Sequence, residues 1–221
     1  MIKKVIGAMV GTALIGTGLG INQATGLGND TIGIFYDGIR VLLKVSIENY
    51  GTLITIINIV LVALLFIVGR KHIHIGTLIY MLLYGKFAEA GGWIYAQLPL
   101  TDSLAGRSVI GFMGCAILYF GIALFIVSDI GVDPVTGLAA SIAEKAGWQF
   151  KTGRRCIDFT LMAAGILAGG TFGVITLATV VAAGPVIQFF TECLQKLDYV
   201  IKKPEISAEN GHKLNCKGST F

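Results

Sequence analysis

Two ionisable side chains stand inside an apolar run: Lys86 and Glu89, between Ile75 and Leu98. At i, i+3 they share one face of a helix. A charge inside a bilayer costs about 2.5–3.5 kcal/mol on insertion scales. A pair so placed either neutralises itself as a structural element or lines a cavity. In a cavity, Lys86 would meet a carboxylate or phosphate, and Glu89 an amine or a proton. Asp158 lies near the start of another apolar run, four residues after Arg154, so a local i, i+4 pair is its plainer role. Asp30 and Asp133 end two glycine turns, Leu27-Gly28-Asn29-Asp30 and Ile130-Gly131-Val132-Asp133. Each fits a helix N-cap, and Pro134 suits the first helical position after Asp133. The functional alternative is a pair of carboxylates bordering a cavity, facing a cationic group or a coupling ion. Asn22 and Asn58 are polar residues within spans that either line the same cavity or bond between helices.

Other chemistries lack their residues. There is no Gly-x-Ser-x-Gly nucleophile elbow, no His-Glu-x-x-His zinc motif and no phosphate-cradling glycine loop ending in Lys-Ser or Lys-Thr. Cys115, Cys156, Cys193 and Cys216 are scattered without metal or redox spacing. His72 and His74 have no third ligand at a suitable distance in the chain. No enzyme activity, cofactor or metal is expected.

Composition places these residues in a membrane. The chain is 54% hydrophobic and 14% charged, with 30 glycines and a mean hydropathy of +0.77, whereas soluble domains are about one quarter charged. The net charge of +4 does not indicate nucleic acid, because the basic residues flank apolar runs as topology requires. Its partners are therefore a lipid bilayer and a small-molecule solute. The glycine-rich first span also leaves a homodimer open.

The expected elements follow in order. Span one covers about Val5 to Ala24. Its uncharged length argues against a cleaved signal peptide, and Gly7, Gly11, Gly16 and Gly20 permit close helix approach. Thr31 to Glu48 reads as an amphipathic helix, with Ile32, Phe35, Ile39 and Leu42 on one face and Asp37, Arg40, Lys44 and Glu48 on the other. Span two is Tyr50 to Gly69 and span three Ile75 to Leu98. Span four is Ser108 to Ser128, and a short amphipathic helix then runs to about Gly147. Span five is about Cys156 to Gly170, and span six about Val174 to Phe190. Residues 1–99 form a first membrane repeat, 100–107 a linker, 108–203 a second repeat and 204–221 a polar, disordered cytoplasmic tail.

The repeat emerges on sliding the chain by about one hundred residues. Gly11 falls on Gly114, Gly18 on Gly121, Gly28 on Gly131, Asp30 on Asp133 and Thr77 on Thr176. Three spans per unit put the second unit into the membrane from the opposite side, an inverted repeat of the kind found in secondary transporters. With the N-terminus inside, Lys3, Lys4, Arg70, Lys71, Lys145, Lys151, Arg154, Arg155 and the tail lysines are cytoplasmic, while Arg40, Lys44 and Arg107 are outside. The two glycine turns then face opposite sides of the membrane. The fold class is an all-α integral membrane protein. Six transmembrane helices form two inverted three-helix repeats, each with a short amphipathic or re-entrant helix after its first span.

Ser128-Asp129-Ile130-Gly131-Val132-Asp133-Pro134, the aligned Leu27 to Asp30 followed by Phe35 to Gly38, and Ala183 to Ile187 before Phe189 resemble the YczE/YitT-like family of bacterial integral membrane proteins. The likeness spans all but the tail. Thr31 and Lys86 replace prolines of that family's pattern. The resemblance implies a bacterial cytoplasmic (inner) membrane protein, multi-pass, and leaves its activity open. Repeat architecture suggests a small secondary transporter or exporter working at the repeat interface. The other reading is a non-transporting membrane scaffold or regulatory partner.

Overall fold

The computed structural model describes residues 1–99 and 103–215, with side chains described to residue 197. Its helices are α1 (Ile2–Thr25), α2 (Thr31–Leu42), α3 (Tyr50–Gly69), α4 (Ile75–Ala96), α5 (Leu104–Ser128), α6 (Pro134–Ala146), α7 (Phe150–Leu167) and α8 (Val174–Asn215). Single 3-10 turns, Ile47–Asn49 and Arg70–His72, flank α3, and no strand occurs among the described residues. The polar tail expected from residue 204 overlaps the end of α8, and residues 216–221 lie outside the described residues.

Helix ends are set by local chemistry. α1 closes at Gly26 in the left-handed region, where the glycine lacks the Cβ that would be crowded (φ 64°). The Asp30 and Asp133 carboxylates cap α2 and α6 as their sequence predicts. Asp30 accepts the Gly33 N–H at 3.1 Å and Asp133 the Thr136 N–H at 3.0 Å. Ser103 caps α5 in the same way, so that helix begins at Leu104, inside the expected linker. The amphipathic helix expected over Thr31 to Glu48 stops at Leu42. Asp37, assigned above to its polar face, is instead buried at 1% exposure. It is tolerated there because Arg40 pairs with it at 2.9 Å, and Gln23 and Thr171 donate to it.

Among the described residues, four helices are long and apolar enough to cross a bilayer: Ile2–Thr25, Ile47–His72, Leu104–Ser128 and Val174–Leu197. α4 and α7 are not among them. Lys86, Glu89 and several glycines dilute α4, while Lys151, Arg154, Arg155 and Asp158 occupy the first half of α7. Large apolar side chains face outward, including Ile67, Leu82, Met113 and Val181. Water would not tolerate so much exposed apolar surface, and a lipid bilayer covers it. The protein is a multi-pass membrane protein.

α1 and α5 form the centre, running antiparallel. A Cβ on Gly18 would come within 2.6 Å of the Gly114 carbonyl, so this crossing needs glycine. Gly16 and Gly20 face α4 with the same closeness, so the glycine faces of α1 are used within the chain. Two further pairs of contacts are reciprocal, while the packing of α3 on α4 has no comparable α7–α8 counterpart among the described residues. α4 packs on α1 and α8 on α5; α2 packs on α7 and α6 on α3. The first turns of the two central helices also reach each other's ends. Arg107 of α5 donates to the Thr25 carbonyl closing α1, at 2.8 Å from Nε. Lys4 of α1 pairs at 3.0 Å with Asp129, which closes α5. Cations are favourable at helix C-termini, where unpaired carbonyls gather.

Candidate functional site

The two glycine turns build the site. After α1 the chain folds back, and Asn29 donates from Nδ2 to the Leu19 carbonyl at 3.2 Å. Leu19 lies six residues before the last residue of α1, so α2 starts about 9 Å inside the bundle rather than at its end. Gly28 allows this reversal with φ 100°. The turn is held by α8: Leu27 O accepts the Ile175 N–H at 3.1 Å, and Thr176 Oγ1 accepts the Asn29 N–H at 3.2 Å. The second turn repeats the pattern against α4. Ile130 O accepts the Gly76 N–H at 3.1 Å, and Thr77 Oγ1 donates to Val132 O at 2.7 Å. The tip of α6 is thereby held by the same kinds of bond to its receiving helix as the tip of α2.

Both tips meet side chains of α7. Arg154 donates from Nε to Asp158 at 3.0 Å and from Nη1 to Thr136 Oγ1, in the first turn of α6, at 2.5 Å. Thr136 Oγ1 in turn bonds Asp133. Asp158 accepts from Thr31 Oγ1, the first residue of α2, at 3.4 Å. The charges of Asp133, Asp158 and Asp30 all act on the Arg154 guanidinium. Three carboxylates thus surround one cation between two helix N-termini, whose dipoles favour the carboxylates. Burial pushes the Asp30 carboxyl up from 3.8 to about 6, with the nearby Asp158 charge adding to it and the Gly33 N–H and Arg154 opposing. The sequence places the two turns on opposite membrane faces; the structure brings their carboxylates to one arginine.

A neutral polar group adjoins. Asn58 of α3 is fully buried and donates from Nδ2 to the Tyr36 hydroxyl and the Ile54 carbonyl, each at 2.9 Å, while its Oδ1 has no partner among the described residues. Tyr36 packs against Tyr84 at 6.0 Å between centroids, and Tyr84 stacks on Tyr80 at 4.6 Å. Asn22 lies apart, in the α1–α5 contact, where it donates to Cys115 Sγ at 3.3 Å. Buried polar atoms without partners are uncommon in native folds, and Asn22 Oδ1 and the Tyr119 hydroxyl are also unpaired among the described residues.

Lys86 and Glu89 do not join this cluster. Lys86 is 73% exposed and 3.9 Å from Glu89. Glu89 accepts the Thr52 N–H at 3.1 Å, satisfying one of the otherwise unpaired donors in the first turn of α3. Lys86 faces outward, while Glu89 is partly covered and ties α4 to the start of α3. The sequence does not single out Arg154, Thr31 or Thr136 as site residues, yet all three bond within the cluster. The available signal was the Arg154–Asp158 spacing, which places two charges one turn apart on a largely apolar helix.

The model of the family of unknown function DUF6198 matches residues 2–192. The uncharacterized membrane protein YczE of Bacillus subtilis (strain 168) is 26% identical over 149 residues, covering 67% of this chain and 68% of that protein. An uncharacterized protein of Haemophilus influenzae (strain ATCC 51907 / DSM 11121 / KW20 / Rd) is 24% identical over 188 residues, covering 85% of this chain and 83% of that one. No solved structure matches. The similarity to YczE agrees with the resemblance carried by the turn motifs.

Proposed function

For a chain that belongs to the family of unknown function DUF6198, we propose the role of a small secondary transporter or exporter in the bacterial inner membrane. It moves a small polar or charged solute and catalyses no covalent chemistry. In this reading α1, α3, α4, α5, α7 and α8 are six spans, α1–α4 and α5–α8 are inverted halves, and α2 and α6 are re-entrant. The termini are cytoplasmic by the distribution of basic residues. Reciprocal packing and the paired turn hydrogen bonds support the inversion. Short helices at matching places in two halves are where transporters bind their solutes.

One observation carries the functional reading: the tips of α2 and α6, from different halves, meet at Arg154 and Asp158. A solute competing for Arg154, Asp158, Asp30 or Asp133 would loosen one tip from the other, and rocking of the halves would open the site to alternate sides. Asn58 is placed to take part with its free acceptor. Lys86 is outside the path. A homodimer is no part of this reading, because the glycine faces that would serve it are occupied by α4 and α5.

A thermal-shift screen of the detergent-solubilised protein against small metabolites should find a stabilising solute, and proteoliposomes should take it up. Arg154→Gln and Asp158→Asn should each reduce uptake by about tenfold or more, the cost of a lost charged hydrogen bond, with the fold retained. Lys86→Ala should transport normally. If no solute stabilises the protein and both site variants merely unfold, the cluster is structural and the scaffold reading replaces transport.

A further inference from the structure

A second polar feature lies away from the cluster around Arg154, where the ends of α3 and α6 meet. A cavity of about 380 Å³ opens there, lined by Gly69, Arg70, Lys71, Ser141, Glu144 and Lys145 among others. Ser141 is buried against Gly69 and closes the floor. Glu144 is the one acid in the lining, and its charge is already engaged: Lys71 pairs with it at 2.8 Å and His72 at 3.4 Å. Those partners, Lys71 foremost, hold its carboxyl below the usual range. Lys145 and Arg70 make no ion pair among the described residues. The cavity therefore presents unneutralised positive charge.

Its surroundings indicate what that charge receives. The Arg70 guanidinium lies 4.9 Å from the centroid of the Phe66 ring. Phe66 and Ile67, in the turn just before, are 55% and 77% exposed. The apolar helix carrying them is a candidate membrane span that ends at His72. A basic hollow at the end of a span, above an outward-facing apolar rail, matches a molecule with an anionic head and an acyl tail. A free phosphate would use the hollow and leave the rail untouched.

We propose that the cavity between the ends of α3 and α6 binds the phosphate group of an anionic phospholipid, with the acyl chains lying along Phe66 and Ile67. This site is independent of the transport reading. Lipid binding here would fix the end of α3 to α6 and tie the second half of the fold to the membrane surface.

The test uses the full chain in a neutral detergent, titrated with dioleoyl phosphatidylglycerol, with dioleoyl phosphatidylcholine and with inorganic phosphate, and read by native mass spectrometry. Phosphatidylglycerol should be retained well above phosphatidylcholine and phosphate. The double variant Arg70→Gln, Lys145→Gln should bind it about thirtyfold more weakly, the effect of two basic side chains near a membrane surface. Lys145→Arg should bind as the parent does. A control of equal charge loss, Lys44→Gln with Lys86→Gln, should leave binding unchanged. Both double variants alter exposed side chains, and their melting temperatures report whether they fold. Equal weakening in the two double variants would show diffuse attraction and overturn the site. Equal retention of the two lipids would overturn it too. If inorganic phosphate binds as tightly as phosphatidylglycerol, the lipid assignment falls and a free phosphate is the ligand.

Discussion

At Leu27 to Asp30 the chain leaves α1, reverses and hydrogen-bonds to the start of α8; at Ile130 to Asp133 it leaves α5 and does the same against α4. The carbonyls of Leu27 and Ile130 accept at the same 3.1 Å. Each turn has a glycine with positive φ, a cap from an Asp and a threonine hydroxyl from the receiving helix. Beyond the backbone the likeness ends. The tyrosines Tyr80 and Tyr84 of α4 follow Thr77, whereas Thr179 and Ala183 of α8 follow Thr176 at the same spacing. Asn58 and Asp158 each lie eleven residues before a glycine, Gly69 and Gly169, yet one is neutral and bonds a tyrosine while the other is charged and bonds an arginine. Backbone hydrogen bonds tolerate almost any side chain, so two turns of one pattern stand against different linings. One lining is aromatic and neutral, the other ionic.

The acids on the outer parts of α2 and α6 sharpen the contrast. Asp37 is buried and bonds Thr171 in the link after α7, while Glu144 stays 48% exposed and bonds Lys71 and His72 in the link after α3. Asp37→Ala should be the most damaging change, at about 3–5 kcal/mol, because Arg40 and the Thr171 N–H lose a buried partner. Denaturation in detergent micelles measures it, and a cost under about 1 kcal/mol would mean the pair is solvated like a surface one.

The glycines come next. Gly28→Ala adds a Cβ that strikes Thr176 Oγ1 and approaches the Gly173 nitrogen at 2.8 Å. At Gly131 the nearest atom would be His74 Cβ at 2.9 Å. Both substitutions should destabilise by about 1–3 kcal/mol from backbone strain alone, with Gly28→Ala the worse. The reverse order would show that the two turns are not held alike.

A smaller effect is expected from Asp30. Its folded-state value of about 6 lies above the unfolded 3.8, so the folded state binds the proton more tightly. Stability should therefore fall as pH rises from about 4 to 6 and level off above that. Asp30→Asn should flatten this slope in a melting series across pH; an unchanged slope would assign the titration elsewhere. Glu144→Ala should shift the melting temperature least of all, because its partners remain hydrated.

Several of these features are legible in the sequence. The two matching turns are carried by glycine and aspartate, whose roles at turns and caps follow from a missing Cβ and a short acceptor side chain. The caps of α2 and α6 are therefore readable from Asp30 and Asp133 alone. The meeting of the tips is not, because it depends on how far each turn re-enters, and bonds such as Asn29 to Leu19 O and Ile175 N–H to Leu27 O decide that. Arg154 reads as a topological flank for the same reason: a basic residue before a span looks alike whether water or carboxylates await it. For Lys86 and Glu89 the sequence leaves two roles open, a structural pair or a cavity lining. Their spacing places them on one helix face but cannot say what covers that face. In the structure Lys86 is exposed and Glu89 bonds the start of α3.

The hydrogen bonds of the first turn have a consequence for how the protein is made. Leu27 and Asn29 lie far ahead in the chain of their partners Ile175 and Thr176, which open α8, the last helix described. The second turn needs α4 in the same crosswise fashion, and the end of α1 waits for Arg107. The two turns therefore differ in order of assembly: α4 already exists when the second turn is made, whereas the first turn stays unsatisfied until α8 is in place. A late long-range contact, rather than insertion of an early helix, completes this part of the fold.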